Sequence, residues 1–340
     1  NNCFHLLKHD ISYQSTFSVA IMTISSEYPL LFLISFITVL TSAPIFIRKF
    51  TKQGFLVPDM YKDDRKVPTM GGMAILAGVL VSLIVAIFLV GNVASLLIFY
   101  FIVFTYAMFG ILDDLVDVGR QLKIIAPFFM ALPIALISTD TAIWVGFGEV
   151  ELGVLYLFIL APLFVMVISN LINMHSGFNG MQSGLSIIIM AFLVIQGIIW
   201  QYNTTLFIMP LFGALCGFYI YNRYPSRIFE GNIGSLAIGS AVGGYIILMN
   251  MEILGVILFI PHIINFLMYA YWRIRKLPAT KFGTINQEGN LIVPNYLTLK
   301  WVIPYFFEVN EQKATRLMFL LTALFGIFGL VIQNTLFISY

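Results

Sequence analysis

Charge is scarce in this sequence. Lys, Arg, Asp and Glu make up 10% of its 340 residues, against roughly 25% in a soluble globular domain. That scarcity excludes an ordinary water-soluble enzyme and a disordered tail. A net charge of +2 leaves no basic footprint for nucleic acid. Cysteine is nearly absent. Cys3 and Cys216 lie far apart, which excludes a disulfide framework and a cysteine-based zinc site. No short-period repeat and no low-complexity segment occurs. What is abundant is apolar surface: 60% of residues are hydrophobic and the mean hydropathy is +0.94. The chain reads as a polytopic membrane protein, all-α, and its few polar residues become the informative ones.

A helix needs roughly 20 apolar residues to cross a bilayer. Ten such runs are expected, near 28–47, 72–90, 93–112, 124–137, 154–172, 183–200, 206–221, 233–249, 253–272 and 317–337. The fourth is short. The first 26 residues are mixed, with His5, Lys8, His9 and Asp10, and show no signal-peptide pattern. They read as an N-terminal extracytoplasmic segment, followed by a single transmembrane domain over 27–340. The chain opens on Asn rather than Met, which reads as a trimmed, processed or partial chain.

Seventeen of the eighteen Lys and Arg fall in one set of alternate loops, 48–71, 113–123, 173–182, 222–232 and 273–316. The positive-inside rule places these loops in the cytoplasm and both termini on the other side. The largest of them, 273–316, carries Pro278, Gly283, Gly289 and Pro294 between short alternating stretches. A small cytoplasmic hairpin is expected there.

Topogenic charge explains the Lys and Arg, but not the acids and amides on the same side. Asp113 and Asp114 end the third run, with Asp117 one helical turn after Asp113 and Lys123 beyond. Adjacent carboxylates at a membrane border stay ionised only with water, a cation or a basic partner. Asp114 is rotated by about 100° from Asp113, an arrangement that suits a divalent metal or a phosphate. The fifth run ends in Asn170 and Asn173, which share a helix face, then His175, Ser176, Gly177, Phe178, Asn179 and Gly180. Amides are costly in lipid unless paired or solvated. Their density favours a polar ligand over plain helix packing. Before the eighth run, Arg223, Arg227 and Glu230 precede Gly231, Asn232 and Gly234 at a helix start, where anions are favoured. Lys66 to Gly72, with two Gly at a helix mouth after a basic run, again suits a phosphorylated ligand. His175 sits in the asparagine loop without an assigned role. His262, near a membrane border, is expected to satisfy a neighbouring polar group.

Taken together and in order, these four elements resemble those of the polyprenyl-phosphate N-acetylhexosamine-1-phosphate transferase family (glycosyltransferase family 4). Lys66-Val67-Pro68-Thr69-Met70-Gly71-Gly72 is similar to its KxPTxGG loop. Asp113-Asp114 with Asp117 and Lys123 resembles its DDxxD/N…K element. Asn170 to Gly184 resembles its N-x-x-N…G-x-N/D-G element. Phe229 to Ser235 resembles its F-x-G-D-x-G-S element. Ser176 and Asn179 stand where bacterial members carry Asp, and no His lies in 273–316. Both features resemble the archaeal and eukaryotic dolichyl-phosphate branch, as does the stretch 259–267.

The resemblance implies transfer of N-acetylglucosamine-1-phosphate from UDP-GlcNAc to a polyprenyl phosphate, with release of UMP. It implies Mg²⁺, with Mn²⁺ as the substitute, held by Asn173, Asn232 and Asp114. Asp113, Asp114 and Lys123 would be catalytic. Asn179 would contact uracil, with Gly177 in the same loop, and Asp117, Arg227, Lys281 and Lys66 would bind substrate. It also implies a homodimer and an active site at the cytoplasmic face. The membrane would be a prokaryotic plasma membrane, archaeal by preference, or the endoplasmic reticulum. One departure stands out: Asn232 occupies the place of a metal-ligating Asp. Reduced metal affinity, compensation by Asp114 or Glu230, and inactivation are all open at this point. So are a bacterial-type undecaprenyl-phosphate transferase, a multi-span transporter and a catalytically dead relative.

Overall fold

The computed structural model describes residues 26–62, 65–116, 118–138, 140–144, 148–277 and 283–338. Twelve α-helices dominate them. In chain order these are α1 (Glu27–Gln53), α2 (Gly72–Leu89), α3 (Val93–Val116), α4 (Arg120–Ala131), α5 (Ala161–Met174), α6 (Met181–Ile199), α7 (Met209–Asn222), α8 (Gly231–Leu248), α9 (Glu252–Leu258), α10 (Ile260–Ile274), α11 (Leu299–Phe306) and α12 (Glu311–Ile338).

All ten apolar runs of the sequence fall on helix, but ten full-length spans is not what the lengths give. Among the described residues seven helical segments are long and apolar enough to cross a membrane, and α9 with α10 makes an eighth if that pair is one span bent by 56°. Pro261 opens α10 at the bend, where a residue without an N–H disturbs the ladder least. The fourth run is cut short because α4 contains Pro127 and passes into a 3₁₀ turn over Leu132–Leu136. Tyr106 turns its hydroxyl to the Pro127 carbonyl at 2.6 Å. The seventh run starts as a 3₁₀ turn, Asn203–Phe207, leaving α7 only 14 residues. At 1.5 Å per residue such a helix spans roughly 20 Å.

Helix α8 is the hub. It packs against α3, α5 and α2 and is enclosed on nearly all sides. Its glycines and serines explain why. Lipid gives helices no hydrophobic reason to associate, so close backbone approach through small residues does the work. At Gly110 of α3 a Cβ would stand 2.5 Å from the Asn232 carbonyl oxygen, so the end of α3 meets the start of α8 only with glycine there.

Among the described residues three two-stranded antiparallel hairpins qualify the all-α expectation. Leu56–Pro58 (β1) pairs with Lys66–Pro68 (β2), Ala142–Trp144 (β3) with Glu149–Glu151 (β4), and Thr284–Ile285 (β5) with Leu291–Ile292 (β6). The last is the hairpin expected in the 273–316 loop. A second small core forms beside β1–β2. Tyr61, Phe178, Met181, Leu291, Trp301, Val309 and Met318 pack together, and Trp301 donates its indole N–H to the Tyr61 hydroxyl at 2.7 Å. Burial pushes that hydroxyl up to about 12, so it stays a neutral partner. This core joins the first polar loop, the asparagine loop, α11 and α12 at one end of the bundle.

Candidate active site

That end of the bundle holds a cavity of about 370 Å³, drawn from β1 and its following loop, the end of α3, the loop between α5 and α6, and the start of α8. Asp114, Asn173, Ser176, Gly177, Asn179, Glu230 and Asn232 line it. Four separate sequence elements therefore meet in one place. The loops around it are those that carry the Lys and Arg. A smaller cleft at Asp140, Glu149, Tyr202, Asn250 and Glu252 belongs to the opposite set of loops.

The paired aspartates divide their work, as the rotation along a helix requires. Asp114 Oδ1 accepts the Asn232 backbone N–H at 3.0 Å and Oδ2 the Ile233 N–H at 3.4 Å. These are first-turn donors of α8, which have no partner within the helix. A carboxylate there also meets the positive end of the helix dipole. Asp113 is buried and turns elsewhere. Lys123 forms an ion pair with its Oδ1 at 2.8 Å, and the Val118 N–H donates to the same oxygen at 3.0 Å. Across the cavity, Asn173 Oδ1 accepts from the Ser235 hydroxyl at 2.9 Å, which fixes its amide against α8. Asn170 does not join them; its amide donates to the Met166 carbonyl at 2.9 Å.

Asn179 lines the cavity with its side chain already engaged. Its Nδ2 donates to Asp59 at 2.9 Å, and its Oδ1 accepts from the Ser226 N–H at 2.7 Å and Lys62 at 3.3 Å. Its backbone N–H donates to Glu311 at 2.6 Å. Asn179 is thus the centre of a buried network. Lys62 pairs with Asp59 at 3.1 Å and Glu311 at 3.0 Å, and Arg65 pairs with Asp59 at 3.0 Å. The spacing Asp59, Lys62, Arg65 in one short loop was the available signal for this cluster. Nothing local ties it to Glu311.

Lys66 is exposed on β2 and does not line the cavity. The alternation of a strand turns Val67 inward instead. Arg227 is also exposed, with its guanidinium stacked on the Tyr221 ring at 5.0 Å. Asp117 and Lys281 lie outside the described residues. His175 and His262 are buried ring to ring, 4.5 Å apart, and Nδ1 of His262 meets no hydrogen-bond partner among the described residues. His262 does not satisfy that neighbour as expected: both ring nitrogens of His175 also meet no hydrogen-bond partner among the described residues. Glu230 is buried and accepts from Asn222 Nδ2 at 3.0 Å. Burial pushes its carboxyl up to about 7.

Among the described residues no group of three or more His, Cys, Asp or Glu could hold a metal. The cavity instead offers the Asp114 carboxylate and the amide oxygens of Asn173 and Asn232, while Asp59 is paired with Lys62 and Arg65 and Glu230 accepts from Asn222. Such an all-oxygen, low-charge set fits Mg²⁺ or Mn²⁺ only with substrate phosphate completing it, which is how Mg²⁺ is commonly held.

The family model described as glycosyl transferase family 4 matches residues 95–250. The phospho-N-acetylmuramoyl-pentapeptide-transferase of Enterococcus faecalis is 32% identical over 244 residues, covering 64% of this chain and 74% of that protein. The chain belongs to glycosyl transferase family 4. Two archaeal proteins align over more of its length. A protein of Saccharolobus solfataricus is 27% identical over 312 residues, covering 88% of this chain and 94% of its own. One of Sulfolobus acidocaldarius is 28% identical over 321 residues, covering 89% and 95%. Both carry the name "Putative UDP-N-acetylglucosamine--dolichyl-phosphate N-acetylglucosaminephosphotransferase". The family 4 match spans α3 to the end of α8, which includes three of the four elements that build the cavity.

Proposed function

We propose that this family 4 enzyme transfers N-acetylglucosamine-1-phosphate from UDP-GlcNAc to a membrane polyprenyl phosphate of the dolichyl type, giving polyprenyl-diphosphate-N-acetylglucosamine and UMP. The observation that carries the reading is the convergence of Asp114, Asn173 and Asn232 on one cavity. The archaeal relatives' names support the substrate pair.

In the proposed reaction an oxygen of the lipid phosphate attacks the β-phosphorus of UDP-GlcNAc. The bond from that phosphorus to the bridging oxygen breaks, and UMP leaves with the oxygen. Phosphoryl transfer of this kind is mostly positioning and charge neutralisation. Mg²⁺, held by Asp114, Asn173, Asn232 and the diphosphate, would supply charge neutralisation at the phosphates. Asp114 keeps the start of α8 aimed at the cavity. Asp113 and Lys123 neutralise each other outside the cavity lining and hold the end of α3, and with it Asp114, in place. Asn179 shapes the nucleotide end of the cavity through its network.

The same reading places ten membrane crossings in the chain, both termini on the non-cytoplasmic side and the cavity at the cytoplasmic face. The positive-inside distribution of Lys and Arg supports that orientation. An archaeal plasma membrane agrees with the long alignments to archaeal relatives.

The experiment is an assay of UMP release by the purified chain with Mg²⁺, UDP-GlcNAc and either dolichyl or undecaprenyl phosphate. The proposal expects acceptor-dependent release, faster with the dolichyl lipid. Preference for undecaprenyl phosphate would move the enzyme to the bacterial type. UDP-GlcNAc binding without UMP release would make it an inactive relative.

A further inference from the structure

Among the described residues the cavity lining contains Asp59, Asp114 and Glu230 and no Lys or Arg. A nucleotide diphosphate entering it brings more negative charge. The cations around the cavity are mostly committed: Lys62 to Asp59 and Glu311, Arg65 to Asp59, and Lys123 to Asp113. Lys300, in the first turn of α11, differs. Its ammonium donates to the Ser176 carbonyl at 2.6 Å and forms no ion pair among the described residues. One backbone bond uses one of its three donors. The rings of Phe178 and Trp301 flank it at 5.8 and 5.9 Å.

Its place is set by Gly177. That residue has φ of +117°, and a Cβ built on it would stand 2.0 Å from the Lys300 ammonium nitrogen. Ser176 and Gly177 line the cavity, so the ammonium lies directly against the backbone of the cavity wall. The asparagine loop omits a side chain where α11 delivers a positive charge.

We infer that Lys300 is a substrate-contacting residue, its ammonium donating past Gly177 to the diphosphate of the nucleotide sugar. Lys300 is far in sequence from the cavity motifs, and nothing in its local pattern marks it. Burial pulls its amine down to about 8, with the Glu311 carboxylate acting the other way. Lys300 therefore carries its proton at neutral pH, and a facing phosphate would hold that proton more tightly.

The inference rests on the transferase reading, and the test separates the two. Binding of UDP and of uridine to the full chain in detergent is measured by titration calorimetry, for the native protein, Lys300→Met, Lys300→Gln and Lys300→Arg. Lys300→Gln keeps a polar head for the Ser176 carbonyl without the charge. A charge-assisted hydrogen bond is worth enough that its loss weakens UDP roughly ten- to a hundredfold. The inference expects that loss in Lys300→Met and Lys300→Gln, unchanged uridine affinity, and a smaller loss in Lys300→Arg. KM for UDP-GlcNAc rises by the same factor. Equal losses for UDP and uridine would mean that Lys300 only supports the loop, and would overturn the inference, as would native UDP affinity in both neutral variants. If the native protein shows neither UDP binding nor UMP release, the transferase reading fails and the inference falls with it.

Discussion

The carboxylate of Asp114 accepts the backbone N–H of Asn232 at 3.0 Å and so ties the end of α3 to the start of α8. The same side chain faces the cavity. In the proposed reaction structure and chemistry thus share one residue, and substitution should separate them. Asp114→Asn keeps an acceptor for the α8 donors and removes the charge. It is expected to lower kcat at least a hundredfold with little change in melting temperature. Asp114→Ala should lose activity equally and also about 1 kcal/mol of stability, as when a helix cap is removed. Steady-state UMP release and a thermal melt on each variant check this.

Asn232 is the polar side chain of the cavity that the family pattern replaces with Asp. Restoring a carboxylate adds one unit of charge beside Asp114. Gross attraction between unit charges about 4 Å apart is roughly 4 kcal/mol at an effective dielectric of 20, and repulsion from Asp114 cancels part of it. Asn232→Asp is therefore expected to lower the Mg²⁺ concentration for half-maximal rate by about tenfold. A Mg²⁺ titration of UMP release at fixed UDP-GlcNAc reads the effect directly.

The motifs of the cavity were legible in sequence because each is local. Asp113 and Asp114 are adjacent, Asn173 to Gly180 is one loop, and Gly231 to Ser235 is one helix start. Their meeting depends on α8 packing against α3 and α5, which glycine spacing hints at but does not specify. Lys66 and Arg227 were read as binding residues from their charge and from the family resemblance, yet strand alternation turns Lys66 out and stacking on Tyr221 holds Arg227 aside. Lys62, Asp59, Glu311 and Lys300 went unread because their partners lie as far as 249 residues away. The ten helical runs were visible as apolar stretches. The shortening of two came from prolines and 3₁₀ turns that a hydropathy count does not register.

The Lys62–Glu311 pair should behave as a buried ion pair. Removing one partner strands the other and costs about 3 kcal/mol, whereas replacing both costs much less. Lys62→Met is expected to melt several degrees below the native protein, and the double variant Lys62→Met/Glu311→Gln to recover part of that loss. A double-mutant cycle by thermal denaturation in detergent tests this. Additive losses would show that the two side chains are not coupled.

Glu230 gives the site a pH dependence. Its carboxyl is raised to about 7 in the folded chain from an ordinary value of 4.5, so the folded state binds the proton more tightly than the unfolded state. Stability from this group is present below the ordinary value and is lost as pH rises through about 7. Glu230→Gln keeps the Asn222 contact without the charge. It should raise the melting temperature at pH 8, have little effect at pH 4.5, and flatten the profile between.

The position of the broken bond tests the central claim most directly. UDP-GlcNAc labelled at its β-phosphorus is incubated with the chain, Mg²⁺ and dolichyl phosphate, and label is followed into nucleotide and lipid. The account predicts that the label moves to the lipid fraction while UMP leaves unlabelled, and that Asp114→Asn abolishes the movement. Label retained as UDP, with unlabelled sugar on the lipid, would contradict it.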